Sequence, residues 1–263
     1  FLRVDCGEFQ LEHEVAKLIG APPGYLGHRE TQPMLTQQKL VAVTSEKSDL
    51  SLVLFDEIEK AAPSMTRLLL GVLDKAILRL GDNSQVNFDR SLIFLTSNLG
   101  AREMMTEMSP SFGFRGTGAR EAGELRAKLE SIAMSAVRKR FSPEFVNRID
   151  AVVTYQPLDA DSLAAILDHQ IRELQQHVNT RLGARCFTIE VPEESRRFLL
   201  EKGTSSEYGA RELKRTVHRS LTQPLATLVA SGQIEAGARV RVEVAPEGDR
   251  LTMRTVEVCP VPP

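Results

Sequence analysis

Residues 52–55 form an uninterrupted apolar run that ends in two adjacent carboxylates, Asp56 and Glu57. A run of this kind predicts a central strand of a parallel sheet, buried on both faces. Because an ionised carboxylate is costly to bury, the two acids mark the point where the strand leaves the core. A second apolar run, residues 92–95, is followed by the polar residues 96–98. We therefore expect two buried strands whose polar ends face one crevice at the carboxyl edge of the sheet.

Apolar residues with the spacing of one helix face occur in the sequence before, between and after these two strands. The clearest stripe falls at i, i+3, i+4, i+7 and i+8 and consists of Met65, Leu68, Leu69, Val72 and Leu73. Pro63 suits the first turn of that helix. We also predict helices at residues 8–18, 37–43 and 121–140, strands at 1–5 and 151–155, a turn at 81–84, and a loop rich in Gly, Ser and Met at 104–120.

The pattern changes near residues 156–158, where a smaller region with its own helices and strands begins. Asp161 or Ser162 can cap its first helix. Beyond that helix we predict a strand at 186–191, helices from 192 and from 212, and strands at 239–244 and 251–256. The predicted fold class is therefore α/β: a parallel sheet flanked by helices over residues 1–157, followed by a small α+β domain over residues 158–263.

Residue composition, net charge and cysteine spacing argue against several functional classes. The 263 residues are 42% hydrophobic and 26% charged, which is typical of a soluble globular protein. A formal net charge of −2 indicates no general attraction to nucleic acid or to a membrane. The three cysteines stand far apart, which argues against a disulfide framework or a zinc site and fits a reducing cytosol. We therefore expect a cytoplasmic protein with neither nucleic acid nor membrane as a partner.

The two carboxylates at the end of the central strand suggest a specific chemistry. Asp56 is placed to hold a Mg²⁺ ion through water, and Glu57 to orient or deprotonate an attacking water molecule. This is the Walker B pattern of a nucleotide triphosphatase. The alternative is an ordinary strand-exit turn, because many buried strands end in acidic residues.

Five stretches together resemble the second ATPase module of the Clp-type AAA+ unfoldases and disaggregases. They are LIGAPPGYLG at 18–27, VLFDEIEKA at 53–61, TSNLG at 96–100, PEFVNRID at 143–150 and YGARELKR at 208–215. They occur in the order of the family and cover nearly the whole chain, and such a set is far more specific than any single motif.

The resemblance implies a function as well as a fold. Members of the family couple hydrolysis of ATP, with Mg²⁺, to the threading of polypeptides through the central pore of a ring. We therefore expect ATP and Mg²⁺ as cofactors, protein substrates, and a homo-oligomeric ring, most simply a hexamer. A Clp-type peptidase or a co-chaperone is a candidate further partner.

Three residues inherit roles from the resemblance, each with a simpler alternative. Asn98 resembles sensor 1, which contacts the γ-phosphate and the attacking water; alternatively it is a turn or cap residue. Arg148 resembles the arginine finger given to a neighbouring subunit; alternatively it forms a surface ion pair with Asp150 or Glu144. Arg211 resembles sensor 2, which reaches the same phosphates from the small domain; alternatively it is a solvated arginine at a helix start.

A second set of family residues concerns the polypeptide substrate. Gly24, Tyr25, Leu26 and Gly27 resemble the pore loop that grips the threaded chain. An aromatic side chain on a glycine-flanked loop offers a large contact area that tolerates any substrate sequence. The alternative is a tyrosine folded back on its own surface.

A tripeptide in the glycine-rich loop, Phe112, Gly113 and Phe114, lies where peptidase-coupled members of the family carry a docking motif. An exposed hydrophobic tip suits insertion into a partner's pocket. Its first position is aromatic where the family has an aliphatic residue, and packing of the loop on its own domain is the alternative.

No G-x-x-x-x-G-K-[ST] motif, the P-loop that holds the β- and γ-phosphates, occurs in the 263 residues. In the family this motif lies just upstream of a strand like residues 1–5, so the sequence resembles a module that begins after it. We expect these 263 residues alone to bind ATP weakly and not to hydrolyse it. The competing interpretations are a non-hydrolysing scaffold of the same fold and a DNA-linked AAA+ protein, which would carry a basic face.

Overall fold

The computed structural model describes residues 1–21, 32–45, 47–108, 119–155, 158–204 and 209–258. It divides into two compact units, Phe1–Thr154 and Tyr155–Pro263. Within the described ranges, none of the helices combines the length and apolarity needed to cross a lipid bilayer.

The first unit contains a parallel sheet and the helices around it. Its strands are β1 (Leu2–Asp5), β2 (Ser51–Asp56), β3 (Ile77–Arg79), β4 (Gln85–Asn87) and β5 (Ser91–Leu95). Its helices are α1 (Val15–Ile19), α2 (Gln37–Ala42), α3 (Pro63–Lys75), α4 (Ala101–Met108), α5 (Ala119–Arg140) and α6 (Pro143–Val146). Strands β1, β2 and β5 are parallel and lie in that order, so the predicted sheet with the apolar run at its centre is confirmed.

The prediction that the central strands are buried on both faces is wrong. Val53 and Phe55 are fully buried, whereas Leu52 is 43% exposed and Phe94 of β5 is 53% exposed. Successive side chains of a strand project to opposite faces, and the described core packs on the face that carries Val53 and Phe55. A continuous apolar run fits either arrangement, which is why the pattern alone did not separate them.

Helix α3 has the predicted start and the predicted inner face. Pro63 occupies its first turn, where the missing N–H of proline costs nothing. Its apolar stripe joins the core, with Met65, Leu69 and Val72 buried and Leu68 and Leu73 partly buried. The residue after the helix, Ala76, is its C-cap, and its positive φ of 53° turns the chain into the antiparallel pair β3–β4.

Three predicted segments of the first unit differ in the structure. The helix expected at 8–18 is a 3₁₀ turn, Glu12–Glu14, followed by the short helix α1. Residues 104–108, expected to begin a loop, belong to α4, because the Gly and Ser residues that suggested the loop follow Met108. The strand expected at 151–155 does not form: no described strand hydrogen-bonds to it, and Val153 and Tyr155 are 73% and 88% exposed. An isolated β-branched segment lacks the backbone partners that define a strand.

The second unit is a small α+β domain, as predicted. Its helices are α7 (Ala160–Leu182), α8 (Glu193–Gly203), α9 (Gly209–Val217) and α10 (Gln223–Ala230), and its strands are β6 (Thr188–Glu190), β7 (Ala238–Val244) and β8 (Leu251–Val258). Strand β7 pairs in parallel with β6 and antiparallel with β8. One apolar cluster joins the helices to the sheet, with Leu199, Leu213, Leu221 and Val242 completely buried.

The N-cap of helix α7 lies two residues before Asp161 and three before Ser162, the two predicted caps. The carboxylate of Asp159 accepts a hydrogen bond of 2.8 Å from the backbone N–H of Ser162, so Asp159 is the N-cap. Hydrogen bonds from Ser162 also lower the pKa of Asp159 below its ordinary value. Three side chains suited to capping lie within four positions here, and the apolar period of the helix does not distinguish among them.

A π-helical turn, His218–Thr222, joins α9 to α10. Pro224 follows in the first turn of α10, where it has no N–H to donate and its ring crowds the carbonyl of the preceding turn. A π turn is wider than an α turn and accommodates that ring, so the chain continues as a helix through the proline.

The close packing of α8 on α9 yields a stability prediction. A Cβ atom added to the buried Gly203 would lie 2.9 Å from the Cα of Leu213, whereas one added to Gly123 in α5 would meet nothing within 4 Å. We expect Gly203→Ala to lower the free energy of unfolding by about 1–3 kcal/mol through overpacking. The matched variant Gly123→Ala should raise it by about 0.5–1 kcal/mol, because alanine loses less backbone entropy in a helix. Urea unfolding monitored by circular dichroism measures both, and equal stability of Gly203→Ala and the parent would contradict the packing.

Candidate active site

The carboxylate of Asp56 lies at the carboxyl edge of the sheet, between its two neighbouring strands. It pairs with the guanidinium of Arg3 on one side and accepts a hydrogen bond from the hydroxyl of Thr96 on the other. The strand register explains both contacts, because Arg3 lies beside Leu54 and Phe55 lies beside Leu95. The side chain of Asp56 remains 23% exposed, so the acid is anchored by the sheet and still reaches solvent.

The backbone of Glu57 ends β2 abruptly. Its φ of 57° lies in the left-handed region, which residues other than glycine rarely adopt. Two hydrogen bonds to Thr96 flank this conformation: the N–H of Glu57 donates to the Thr96 hydroxyl at 3.1 Å, and the N–H of Ile58 donates to the Thr96 carbonyl at 3.0 Å. The chain then forms a short 3₁₀ turn, Ile58–Lys60.

The carboxylate of Glu57 is balanced by a nearby cation. The ammonium group of Lys60 lies 2.6 Å from Oε2 of Glu57, and the Glu57 side chain is 33% exposed. The hydrogen bond with Glu57 raises the pKa of Lys60 above its ordinary value. Lys60 is therefore a cation at neutral pH.

The loops that follow β2 and β5 are joined through Glu59. The backbone N–H of Asn98 donates to Oε1 of Glu59 at 3.3 Å, and the carbonyl of Asn98 accepts from Ala101 at the start of α4. Arg140, the last residue of α5, donates to the carbonyl oxygens of Glu59 and Ala61 at 2.7–3.1 Å. These bonds hold Asn98 at the same edge as the two carboxylates, while the side chain of Asn98 stays exposed.

Four carboxylates lie near the buried thiol of Cys6, beneath this edge. Burial raises the pKa of the Cys6 thiol to about 12, and the carboxylates of Asp5, Asp56, Glu59 and Glu57 add to the effect. Oε2 of Glu59 is buried and has no hydrogen-bond partner among the described residues. Across the described ranges, no three His, Cys, Asp or Glu side chains are arranged to hold a metal ion.

Arg148 lies away from this edge. Its guanidinium pairs with Asp74 at 2.6 Å, with the two side chains 48% and 35% exposed. The expected alternative, an ion pair with Asp150 or Glu144, is wrong about the partner. Packing of α6 into the core brings Arg148 to the C-terminal end of α3, a tertiary contact that sequence neighbours do not reveal. Because a helix rises 1.5 Å per residue, Asp74 lies about 17 Å along α3 from Pro63, which follows the site.

Arg211 belongs to the second unit. It lies exposed in the first turn of α9 and lines a concave surface of about 560 Å³, together with Glu212, Lys214, Arg215, His218 and Arg219. Glu212 pairs with Arg215 at 3.6 Å and with Arg219 at 3.0 Å. Four Arg and Lys side chains against one carboxylate leave this surface positive, which favours an anionic ligand.

The residues predicted to contact partners fall outside the described ranges. They are Gly24, Tyr25, Leu26 and Gly27 of the pore loop and Phe112, Gly113 and Phe114 of the docking tripeptide. Their roles remain predictions.

Several residues of the site were not assigned a role from the sequence: Arg3, Glu59, Lys60, Thr96 and Arg140. Once the strands are aligned, the register predicts the contacts of Thr96, which follows Leu95 and lies beside Asp56, and of Arg3, which lies diagonally from Asp56, beside Leu54. Lys60 also carried a signal, since it follows Glu57 by three residues, the spacing of one helical turn. Glu59 and Arg140 carried none, because 81 residues separate them along the chain.

Comparisons with known proteins agree with this architecture. A family model described as "AAA domain (Cdc48 subfamily)" matches residues 1–152. A second, described as "C-terminal, D2-small domain, of ClpB protein", matches residues 158–242. The two matches correspond to a larger α/β part and a small C-terminal part, in the order in which the chain contains them.

Among similar proteins are two chaperone proteins named ClpB. The one from Agrobacterium fabrum is 36% identical over 92% of this chain and 25% of its own length, and the one from Meiothermus ruber is 35% identical over 98% and 27%. A chain of the S. cerevisiae Hsp104:casein complex superposes with a TM-score of 0.76 at 26% identity, covering 96% of this chain and 40% of that one. The chain thus spans about a quarter of the length of the curated relatives it matches. These matches show that it belongs to the Clp-type AAA+ proteins, as a second ATPase module.

Proposed function

We propose that this chain forms part of the ATP-hydrolysing module of a ring-forming protein disaggregase, and that hydrolysis in the complete protein drives a polypeptide through the central pore. One observation carries the proposal: the exits of β2 and β5 are bonded to each other, which brings Asp56, Glu57 and Asn98 to one open edge. The relatives named above are chaperones, and the Hsp104 structure is a complex with casein, which supports a polypeptide as the substrate.

The edge suits ATP bound together with Mg²⁺. Asp56 supplies carboxylate oxygens, the hard donors that Mg²⁺ prefers. Each carboxylate oxygen of Asp56 already has a protein partner, Arg3 or Thr96, so Asp56 suits a contact with the metal through water better than a direct one. A bound Mg²⁺ ion would neutralise charge on the phosphates of ATP.

Glu57 is the residue that we assign to the attacking water. Lys60 contacts its Oε2, which leaves Oε1 to accept a hydrogen bond from a water molecule. Holding that water in line with the γ-phosphate, and accepting its proton, is the task of such a carboxylate. Asn98 is tethered by its backbone to Glu59 at this edge, and we assign its side-chain amide to a contact with the same phosphate.

We also assign roles in ATP hydrolysis to two arginines that lie outside this edge, Arg148 and Arg211. The position of Arg148 at the far end of α3 favours action on the nucleotide of a neighbouring subunit, and therefore a closed ring, for which we propose a homo-hexamer in the cytoplasm. Arg211 lies on a positive surface, which supports a contact with phosphate. The non-hydrolysing alternative is not favoured, because a scaffold would not require the bonds that hold Asp56 and Glu57 at the edge.

The role of Glu57 is tested by Glu57→Gln in the complete protein. The amide cannot accept the proton of water, so we expect ATP still to bind while kcat falls by about 100-fold or more. Steady-state hydrolysis and equilibrium binding of a fluorescent ATP analogue measure the two effects. Glu124→Gln, a change to an exposed glutamate of α5, should leave both unchanged. Hydrolysis by Glu57→Gln at the parent rate would remove Glu57 from this role.

Action of Arg148 across a subunit boundary predicts complementation. Rings of Arg148→Ala should hydrolyse ATP about 10³-fold or more slowly, the range measured for arginine fingers. Mixing them with Glu57→Gln subunits should restore part of the activity, because some interfaces then combine an intact Glu57 with an intact Arg148.

The control for Arg148→Ala is Arg90→Ala, which removes another exposed ion pair, the 2.6 Å contact with Asp49. This variant should hydrolyse ATP at the parent rate, since exposed ion pairs contribute little. If Arg148→Ala rings are also fully active, or if mixing restores nothing, the assignment of Arg148 is wrong.

Threading is tested at Tyr25. In the complete protein, Tyr25→Ala should retain ATP hydrolysis and lose unfolding of a tagged fluorescent protein, because the aromatic ring supplies the grip. Tyr25→Phe should keep most of the unfolding activity. The control is Tyr155→Ala, which removes a tyrosine that is 88% exposed. Normal unfolding by Tyr25→Ala would exclude threading by this loop, and loss of hydrolysis as well would make Tyr25 a structural residue.

A further inference from the structure

We propose that Thr96 is a positioning residue for ATP hydrolysis, whose hydroxyl fixes the carboxylates of Asp56 and Glu57 relative to each other. The inference deepens the function proposed above and rests on it. Thr96 touches neither reacting group in this proposal. It acts by setting where the two acids stand.

The geometry carries this inference, because one hydroxyl contacts two consecutive residues. A threonine hydroxyl has one hydrogen to donate and two lone pairs to accept with. In the structure it donates to Oδ1 of Asp56 and accepts from the N–H of Glu57 at 3.1 Å. The Asp56 side chain and the Glu57 backbone are therefore both hydrogen-bonded to the same oxygen atom.

The backbone of Thr96 is itself held in place. Its N–H donates to the carbonyl of Phe55 at 3.0 Å, and its carbonyl accepts from the N–H of Ile58 at 3.0 Å. These backbone hydrogen bonds fix the position of the hydroxyl at the point where β2 ends. A positioning hydroxyl must itself be held rigidly, because any movement of the hydroxyl would also move the two carboxylates.

The left-handed backbone of Glu57 makes this contact consequential. A non-glycine residue keeps a φ near 57° only when surrounding bonds over-determine it. Removing the hydroxyl takes away the acceptor for the Glu57 N–H and a donor to Asp56. Glu57 can then relax toward an ordinary backbone conformation, which would move its carboxylate away from the attacking water.

A purely structural role does not account for this position. Thr96 is exposed and belongs to neither of the buried apolar clusters. Valine at this position keeps the shape of the side chain and removes only the hydroxyl, and serine keeps the hydroxyl. Thr66 provides a matched control, since its hydroxyl donates at 2.9 Å to the Pro63 carbonyl within α3 and contacts no site residue.

The first test follows amide hydrogen exchange by NMR in the 263-residue chain. In Thr96→Val the Glu57 amide should exchange about tenfold faster or more, because its acceptor is gone. The Ile58 amide donates to the Thr96 backbone and should keep its protection. Thr96→Ser and Thr66→Val should leave both amides as in the parent. Unchanged exchange at Glu57, or equal loss of protection at Ile58, would overturn the inference.

The second test is steady-state kinetics in the complete protein. Thr96→Val should lower kcat by about 10- to 100-fold while KM for ATP changes by less than about threefold, the split expected for misplaced groups that act only in the transition state. Thr96→Ser should keep most of kcat. If the parent hydrolyses ATP and Thr96→Val keeps the parent kcat, or changes only KM, the inference fails by itself. If the parent does not hydrolyse ATP, the proposed function fails, and the inference fails with it.

Discussion

The parallel pairing of β2 with β5 is the constraint on which the site depends. Parallel strands end at the same edge of a sheet, so the residues that follow them are brought together wherever their sequences lie. Here the register places Thr96 beside Asp56, although 40 positions separate them. The bonds between the two exits then hold a glutamate in a conformation that it would not adopt alone.

Charge at this edge is arranged to position groups, with little contribution to stability. The Arg3–Asp56 and Lys60–Glu57 pairs are partly exposed, and such pairs contribute at most about 1 kcal/mol each. Their value lies in orienting two acids that would otherwise repel each other. In the second unit, Arg211 stands on a positive surface that is suited to an anion.

The sequence predicted the parallel sheet, the inner face of α3 and the α+β nature of the second unit, because apolar period reports directly on burial. It did not predict the exposed faces of Leu52 and Phe94, since an unbroken apolar run has no polar side to distinguish. Long-range polar contacts were also out of reach: Arg148 with Asp74, and Arg140 with Glu59, depend on how helices pack. Thr96 was the exception, because the strand register alone would have located it.

We propose that the edge formed by β2 and β5 holds the reacting end of ATP in a ring. The most direct measurement is a structure of the complete protein assembled with Mg²⁺ and a slowly hydrolysed ATP analogue. We expect the γ-phosphate within hydrogen-bonding reach of the Asn98 side chain, with Glu57 beside it and Arg148 of the adjoining subunit released from Asp74. A nucleotide bound elsewhere, or an Arg148 still paired with its own Asp74 in every subunit, would contradict it.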